Sequence, residues 1–359
     1  MAAQRTDHKP SPTAPLPTQR KELRVALLHK RAAYGAARLA KKGAVPVALA
    51  FAAYQLARLN SLLPLRAFAQ YTRAHGPLMA AGMGFNMFFS ITGLLTTGFS
   101  IAALALRGNT VLLDAVVANV AKSAPGLLKI GGGSGLVDPQ ALLNPTGLGW
   151  AAVIGAVVTL VTSLGWIQSL RDGLRAVLEL PPRQQNPLLA KARDLAILLL
   201  LGVALLLTSA VTVAAGAALG FVVDLLKLDP VIARPIGFVV GLVLAVLLSA
   251  LTALIMFRLA AGLRLPRRIL IESTLIAGVG TTVLQLLSTF LLAKAGANPV
   301  LASFAVIIGL LIWFNFVSQV YLISGAWAAV RTADADADAD AASPATAGLG
   351  ARRPRVTRP

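Results

Sequence analysis

Six stretches of the chain, 78–106, 148–170, 195–223, 235–257, 269–292 and 301–328, are long and apolar, and Glu272 is the one charged residue in them. A helix of roughly 20 apolar residues crosses the hydrocarbon of a bilayer. In lipid every backbone polar group must find its partner internally, so stretches of this kind span as helices. The sequence therefore predicts an all-α, polytopic membrane protein with about six transmembrane helices. Composition agrees: 13% of the residues are charged, about half the share in soluble domains.

The net charge of +19 raises the question of nucleic acid, but its distribution answers as topology instead. Cytoplasmic flanks of membrane helices carry the excess of Lys and Arg. Of the 33 such residues, 27 fall before residue 78, in 171–194, in 258–268 or after residue 330, and six fall in the alternate loops. This places the N- and C-termini of a multi-pass protein in the cytoplasm and leaves no role for nucleic acid. A weaker apolar run, 44–57, contains Pro46, Tyr54 and Gln55. A seventh span there would break the alternation, so it is assigned to the interface.

Outside the spans the chain divides by composition. Residues 1–18, with Pro10, Pro12, Pro15 and Pro17, read as a disordered leader. Residues 19–77 form a basic cytoplasmic or interfacial region in which 19–42 is helical, with Arg24, Arg31 and Arg38 seven apart. Such a helix suits an anionic leaflet, so membrane lipids are the expected partners. A solvated helix obeying the charge rule is the competing reading. The membrane domain occupies 78–330. The loop 107–147 carries Val116, Val117 and Val120 at helical spacing, and an amphipathic helix lying against the bundle is expected there, followed by a joint at Gly131, Gly132 and Gly133. The Gly run lacks a Lys-Ser/Thr sequel and is no phosphate loop. Residues 331–359, alternating Ala and Asp and then rich in Arg and Pro, read as a disordered tail.

Within the spans the absence of deep ionisable groups argues against charge-relay transport. Glu272, at the start of the fifth span, is expected to form an interfacial ion pair with Arg258, Arg264 or Arg268. Uncharged polar residues fall into seams at helical spacing: Gly82, Asn86, Ser90, Gly93, Thr97 and Ser100 on the first span; Thr274, Gly278, Thr281, Gln285, Ser288 and Thr289 on the fifth; Asn315, Ser318, Gln319 and Gly325 on the sixth. Polar side chains avoid lipid, so the seams should face one another or a cavity. Interhelical hydrogen bonding is the first reading of these seams, and the alternative is a path for a lipid or small amphiphile, for which Asn86, Ser90, Thr97, Thr281, Gln285, Asn315 and Gln319 are the candidate residues. Gly216 with Gly220 and Gly237 with Gly241 have the spacing of close helix packing, and Pro235 reads as a helix start. No Cys is present, and His8, His29 and His75 all precede the apolar region, so no metal site, cofactor or catalytic group is expected.

From Pro77 to Val330 the chain resembles the YihY/BrkB family of bacterial inner-membrane proteins. The resemblance lies in the run from Gly82 to Gly93, in 169–175 (Ser-Leu-Arg-Asp-Gly-Leu-Arg), in Leu265-Pro266-Arg267-Arg268 with the downstream Gly278, and in the last span from Trp313 to Ala326. Gly93 stands where many members have Pro, and Trp327 where the family pattern has an acid. The resemblance implies six spans with cytoplasmic ends and a role in envelope integrity. Members have also carried a ribonuclease label, against which the residues argue: the bundle has no His and no paired acids for two metals. Transport or handling of a lipid or amphiphile is the leading expectation. A scaffold that binds a membrane or envelope protein partner is the alternative.

Overall fold

The computed structural model describes residues 15–40, 43–105, 110–123, 128, 150–181, 186–227, 229–294 and 299–342. Among them are helices and no strand: α1 (Arg20–Leu39), α2 (Ala44–Asn60), α3 (Leu63–Arg73), α4 (Gly76–Ala105), α5 (Thr110–Ser123), α6 (Trp150–Val177), α7 (Pro187–Leu225), α8 (Pro230–Ile255), α9 (Arg267–Lys294) and α10 (Pro299–Ala342). Four helical segments among the described residues are long and apolar enough to cross a membrane: Pro187–Leu225, Val231–Ala260, Arg267–Ser288 and Ile307–Ala341. α4 and α6 are also long, at 30 and 28 residues.

Punctuation residues explain most boundaries. Asn186 and Asp229 cap α7 and α8, accepting from the backbone N–H of Leu188 and Val231, with Pro187 and Pro230 at the first helical positions. Pro235 is therefore inside α8 rather than at its start. α8 closes in a π-turn, Met256–Ala260, and Gly262 takes φ 64°, a left-handed closure that favours glycine. α3 ends at His75 in the same region (φ 55°), and a Cβ on the following Gly76 would come within 2.2 Å of the Tyr71 ring.

α4 lies between α6 and α10, and α9 between α8 and α10. The ends of α6, α8 and α10 gather with the starts of α4, α7 and α9 at one end of the bundle, where α3 lies against α10. α1 and α2 form a peripheral hairpin, with Tyr34 against Phe51 and Tyr54 at centroid distances of 5.4 and 6.2 Å. α1 falls within the expected helix 19–42, and α2 covers the weaker apolar run 44–57.

Three expectations change. The tail does not lose structure at residue 331: α10 continues to Ala342, because Asp334 is buried and joined to Arg66 of α3 by two hydrogen bonds of 2.8 and 2.9 Å. Glu272 pairs not with Arg258, Arg264 or Arg268, which lie exposed at the same end, but with Arg331 through two 2.8 Å bonds. Trp327 also donates to Glu272 at 3.2 Å, so the residue in the acid's place serves an acid on the neighbouring helix. Finally, Gly216, Gly220 and Gly241 are not close-packing sites, since a Cβ on any of them meets nothing within 4 Å. The leader 1–14, the glycines 131–133 and the tail beyond Ala342 lie outside the described residues.

Candidate functional site: a groove along α7 and α8

Two of the glycines that fail to pack, Gly216 and Gly241, border a cavity of about 550 Å³. One wall is a stripe of α7, from Leu198 through Leu201, Leu205, Thr208, Thr212 and Gly216 to Leu219. The other is a stripe of α8, from Gly237 through Gly241, Ala245, Ser249 and Thr252 to Met256. Each follows the three-and-four spacing of one helix face. At 1.5 Å per residue the α7 stripe covers about 30 Å, close to the full hydrocarbon thickness. The site is thus a groove running along the bundle. α9 adds Thr281 and Gln285, α10 adds Ser318 and Tyr321, and Met83, Met87, Trp166 and Leu170 come from α4 and α6.

Only part of the predicted seam reaches this groove. Thr281 and Gln285 line it. Asn86 instead donates to Ser169 of α6, Ser90 is buried and donates to the Asn86 carbonyl at 2.6 Å, and Gln319 donates to Asn315 within α10. The backbone of Asn315 lies 2.8 Å from where a Cβ on Gly84 would stand, so α4 and α10 approach closely at Gly84, which lies off the predicted α4 seam. The side chain of Thr97 lies outside the described residues.

Two contributors escaped the sequence reading. The first is the pair of walls itself, because Thr208, Thr212 and Gly216, and Gly237, Gly241, Ala245 and Ser249, are stripes of small residues at steps of four, of which only the glycines stand out in the sequence, and those as packing motifs. The second is α5. Its Val116 and Val120 are buried in a cluster with Trp313, Phe314 and Val317 of α10, and Leu205, Leu206 and Leu284 pack against the same cluster. Asn119 donates to Ser209 of α7 at 2.9 Å. Those partners sit near the middles of their apolar stretches, so α5 is the expected amphipathic helix lying against the bundle, with Val111, Asp114, Ala118 and Lys122 left exposed, and what the sequence did not show is the depth at which it packs. One turn beyond Asn119, Lys122 is an accessible side chain on the groove lining, and it is the one charged residue of that lining among the described residues.

The polar end of the bundle is held by charge. Arg171 of α6 pairs with Asp194 of α7, both buried, and its Nε donates to the Ala260 carbonyl at 2.9 Å. Arg193 donates to the Leu259 carbonyl. These guanidinium groups satisfy carbonyls that a helix end leaves unpaired, and their charge suits the negative end of the α8 dipole. Arg66 adds a 2.8 Å bond to the Pro17 carbonyl. Nearby on α3, burial pushes the Tyr71 hydroxyl above its ordinary pKa.

A family model described as virulence factor BrkB matches residues 67–348. The chain is 24% identical over 271 residues to the inner membrane protein YhjD of Escherichia coli (strain K12), covering 74% of this chain and 79% of that protein. It is 26% identical over 278 residues to an uncharacterized protein of Dickeya dadantii (strain 3937), covering 75% and 82%. No solved structure matches the chain.

Proposed function

The chain belongs to the BrkB family, and on that premise we propose a six-span protein of the bacterial cytoplasmic membrane that moves or presents a lipid or small amphiphile along the α7–α8 groove in support of envelope integrity. The groove carries this reading, because it extends over the height of a bilayer and sets hydroxyl and amide groups (Thr208, Thr212, Ser249, Thr252, Thr281, Gln285) along an otherwise apolar slot. A slot of that character suits a molecule with a small polar part and a hydrocarbon part. The reading is non-enzymatic. Both termini are assigned to the cytoplasm, with the basic α1 (Arg20, Arg24, Arg31, Arg38) facing an anionic leaflet. Support comes from the 27 basic residues on one side and from the 3.2 Å contact of Arg20 with Asp338, which keeps the first and last described helices at one end of the bundle.

Purified protein in liposomes tests the proposal by flux of a fluorescent amphiphile. Gly216→Phe and Gly241→Phe fill open space and are expected to stop flux while preserving folded yield, and Gln285→Leu is expected to slow it. Flux that persists through both fillings at normal yield would sink the proposal. A scaffold is the second reading, favoured by the exposed Val45, Leu49 and Leu56 on α2. It predicts no flux and a crosslinked membrane partner along α2.

A further inference from the structure

Among the described residues the groove has one charged lining group, and that group does not belong to a spanning helix. Lys122 is delivered by α5, whose neighbour Asn119 is tied to Ser209 near the middle of the apolar part of α7. A cation at such depth is costly in hydrocarbon and marks a functional position when it faces a water-accessible cavity. Its surroundings divide by chemistry. Thr208 and Thr212, successive turns of α7 at the level of Ser209, present hydroxyls, whereas toward the charged end the lining is Leu170, Leu198, Leu201 and Met256. A volume of about 550 Å³ spread over about 30 Å leaves a slot one hydrocarbon chain wide.

From this geometry we infer that Lys122 recognises the anionic head of a single-chain amphiphile, a carboxylate or phosphate, whose chain lies along the apolar half of the groove. The inference rests on the groove reading above and narrows it to a charge class and a chain number. The ammonium meets the head as a charge-assisted hydrogen bond, the Thr208 hydroxyl donates to another of its oxygens, Thr212 does so only by releasing its 2.7 Å bond to the Thr208 carbonyl, and the chain replaces lipid or water against the leucines.

The test uses the full-length protein in nanodiscs of zwitterionic lipid, with a diazirine-bearing fatty acid, the alcohol of the same chain length and a two-chain phosphatidic acid carrying the same group. Labelled peptides are read by mass spectrometry. The acid is expected to label groove segments of α7 and α8, Lys122→Gln to lower this labelling about tenfold or more, Lys122→Arg to retain it, and the alcohol to label weakly without regard to residue 122. Equal labelling by acid and alcohol, or indifference to Lys122→Gln, would overturn the head-group assignment. Preferential labelling by the two-chain lipid would overturn the single-chain assignment. Competition by millimolar inorganic phosphate as strong as that by unlabelled fatty acid would identify a free-anion site instead. In each of these cases loss of labelling in Gly216→Phe keeps the groove itself as the binding site. Labelling by every probe unchanged in Gly216→Phe removes the groove reading as well.

Discussion

At the scale of single residues, the glycines separate packing from path. A Cβ on Gly278 would stand 2.7 Å from the Val246 carbonyl oxygen and 2.8 Å from the Ala250 nitrogen of α8, both backbone atoms that cannot swing aside. Gly216 has open space at the same position. Alanine is otherwise the better helix residue by about 0.5–1 kcal/mol. Gly278→Ala should therefore force α8 and α9 apart at an overpacking cost of about 1–3 kcal/mol and lower the melting temperature in detergent, while Gly216→Ala leaves it unchanged or raises it. Equal melting temperatures would show that the α8–α9 contact is looser than described. The contrast also marks how far single residues are legible in the sequence. The seam on α9 contains both Gly278 and Gln285, and periodicity places them on one face without saying which touches backbone and which touches the groove. Asn315 and Gln319 look like ligand-binding groups, yet Gln319 donates to the Asn315 Oδ1 within the helix and neither lines the groove.

At the scale of elements, α10 shows where composition misleads. Alternating Ala and Asp has no apolar face, so it reads as tail, yet Ala is the strongest helix former and every fourth residue of a helix shares a side. Asp334 and Asp338 thereby meet Arg66 and Arg20, while Asp336 and Asp340 remain exposed. Trp327 and Arg331, also four apart, both reach Glu272. The long apolar helices and the basic helix α1 were legible because their signals are local. The α10 extension and the descent of α5 were not, because both depend on partners distant in sequence. The Arg66–Asp334 pair is buried on both sides, at 3% and 7% side-chain exposure, where removing one partner strands a charge and costs about 3–5 kcal/mol. Arg66→Met and Asp334→Leu should each destabilise the protein by about that amount, and the double substitution should recover most of the loss, since a buried pair exchanged for apolar residues is often neutral. Thermal unfolding of the four members of this cycle measures the coupling. Additive losses would show that the two side chains act independently.

At the scale of the whole molecule, the groove, the packed α5 and the ion-paired end define a body with unlike ends, and a pathway along it has a direction only when the ends are assigned to sides of the membrane. The loop between α6 and α7 lies at the end where Arg171 meets Asp194, and the loop between α7 and α8 at the opposite end, because α7 runs between them. In the proposed orientation, which rests on the basic excess, the first loop is cytoplasmic. The chain contains no cysteine, so single introduced thiols report on accessibility without background. Leu180 and Leu226 are exposed, at 39% and 61%, one beside each loop. In cells with a permeabilised outer membrane, a membrane-impermeant maleimide should label Leu226→Cys directly and Leu180→Cys only after the inner membrane is disrupted. The reverse pattern would turn the molecule over, putting the basic end outside. Labelling of both before disruption would break the even number of crossings that the shared location of Arg20 and Asp338 requires.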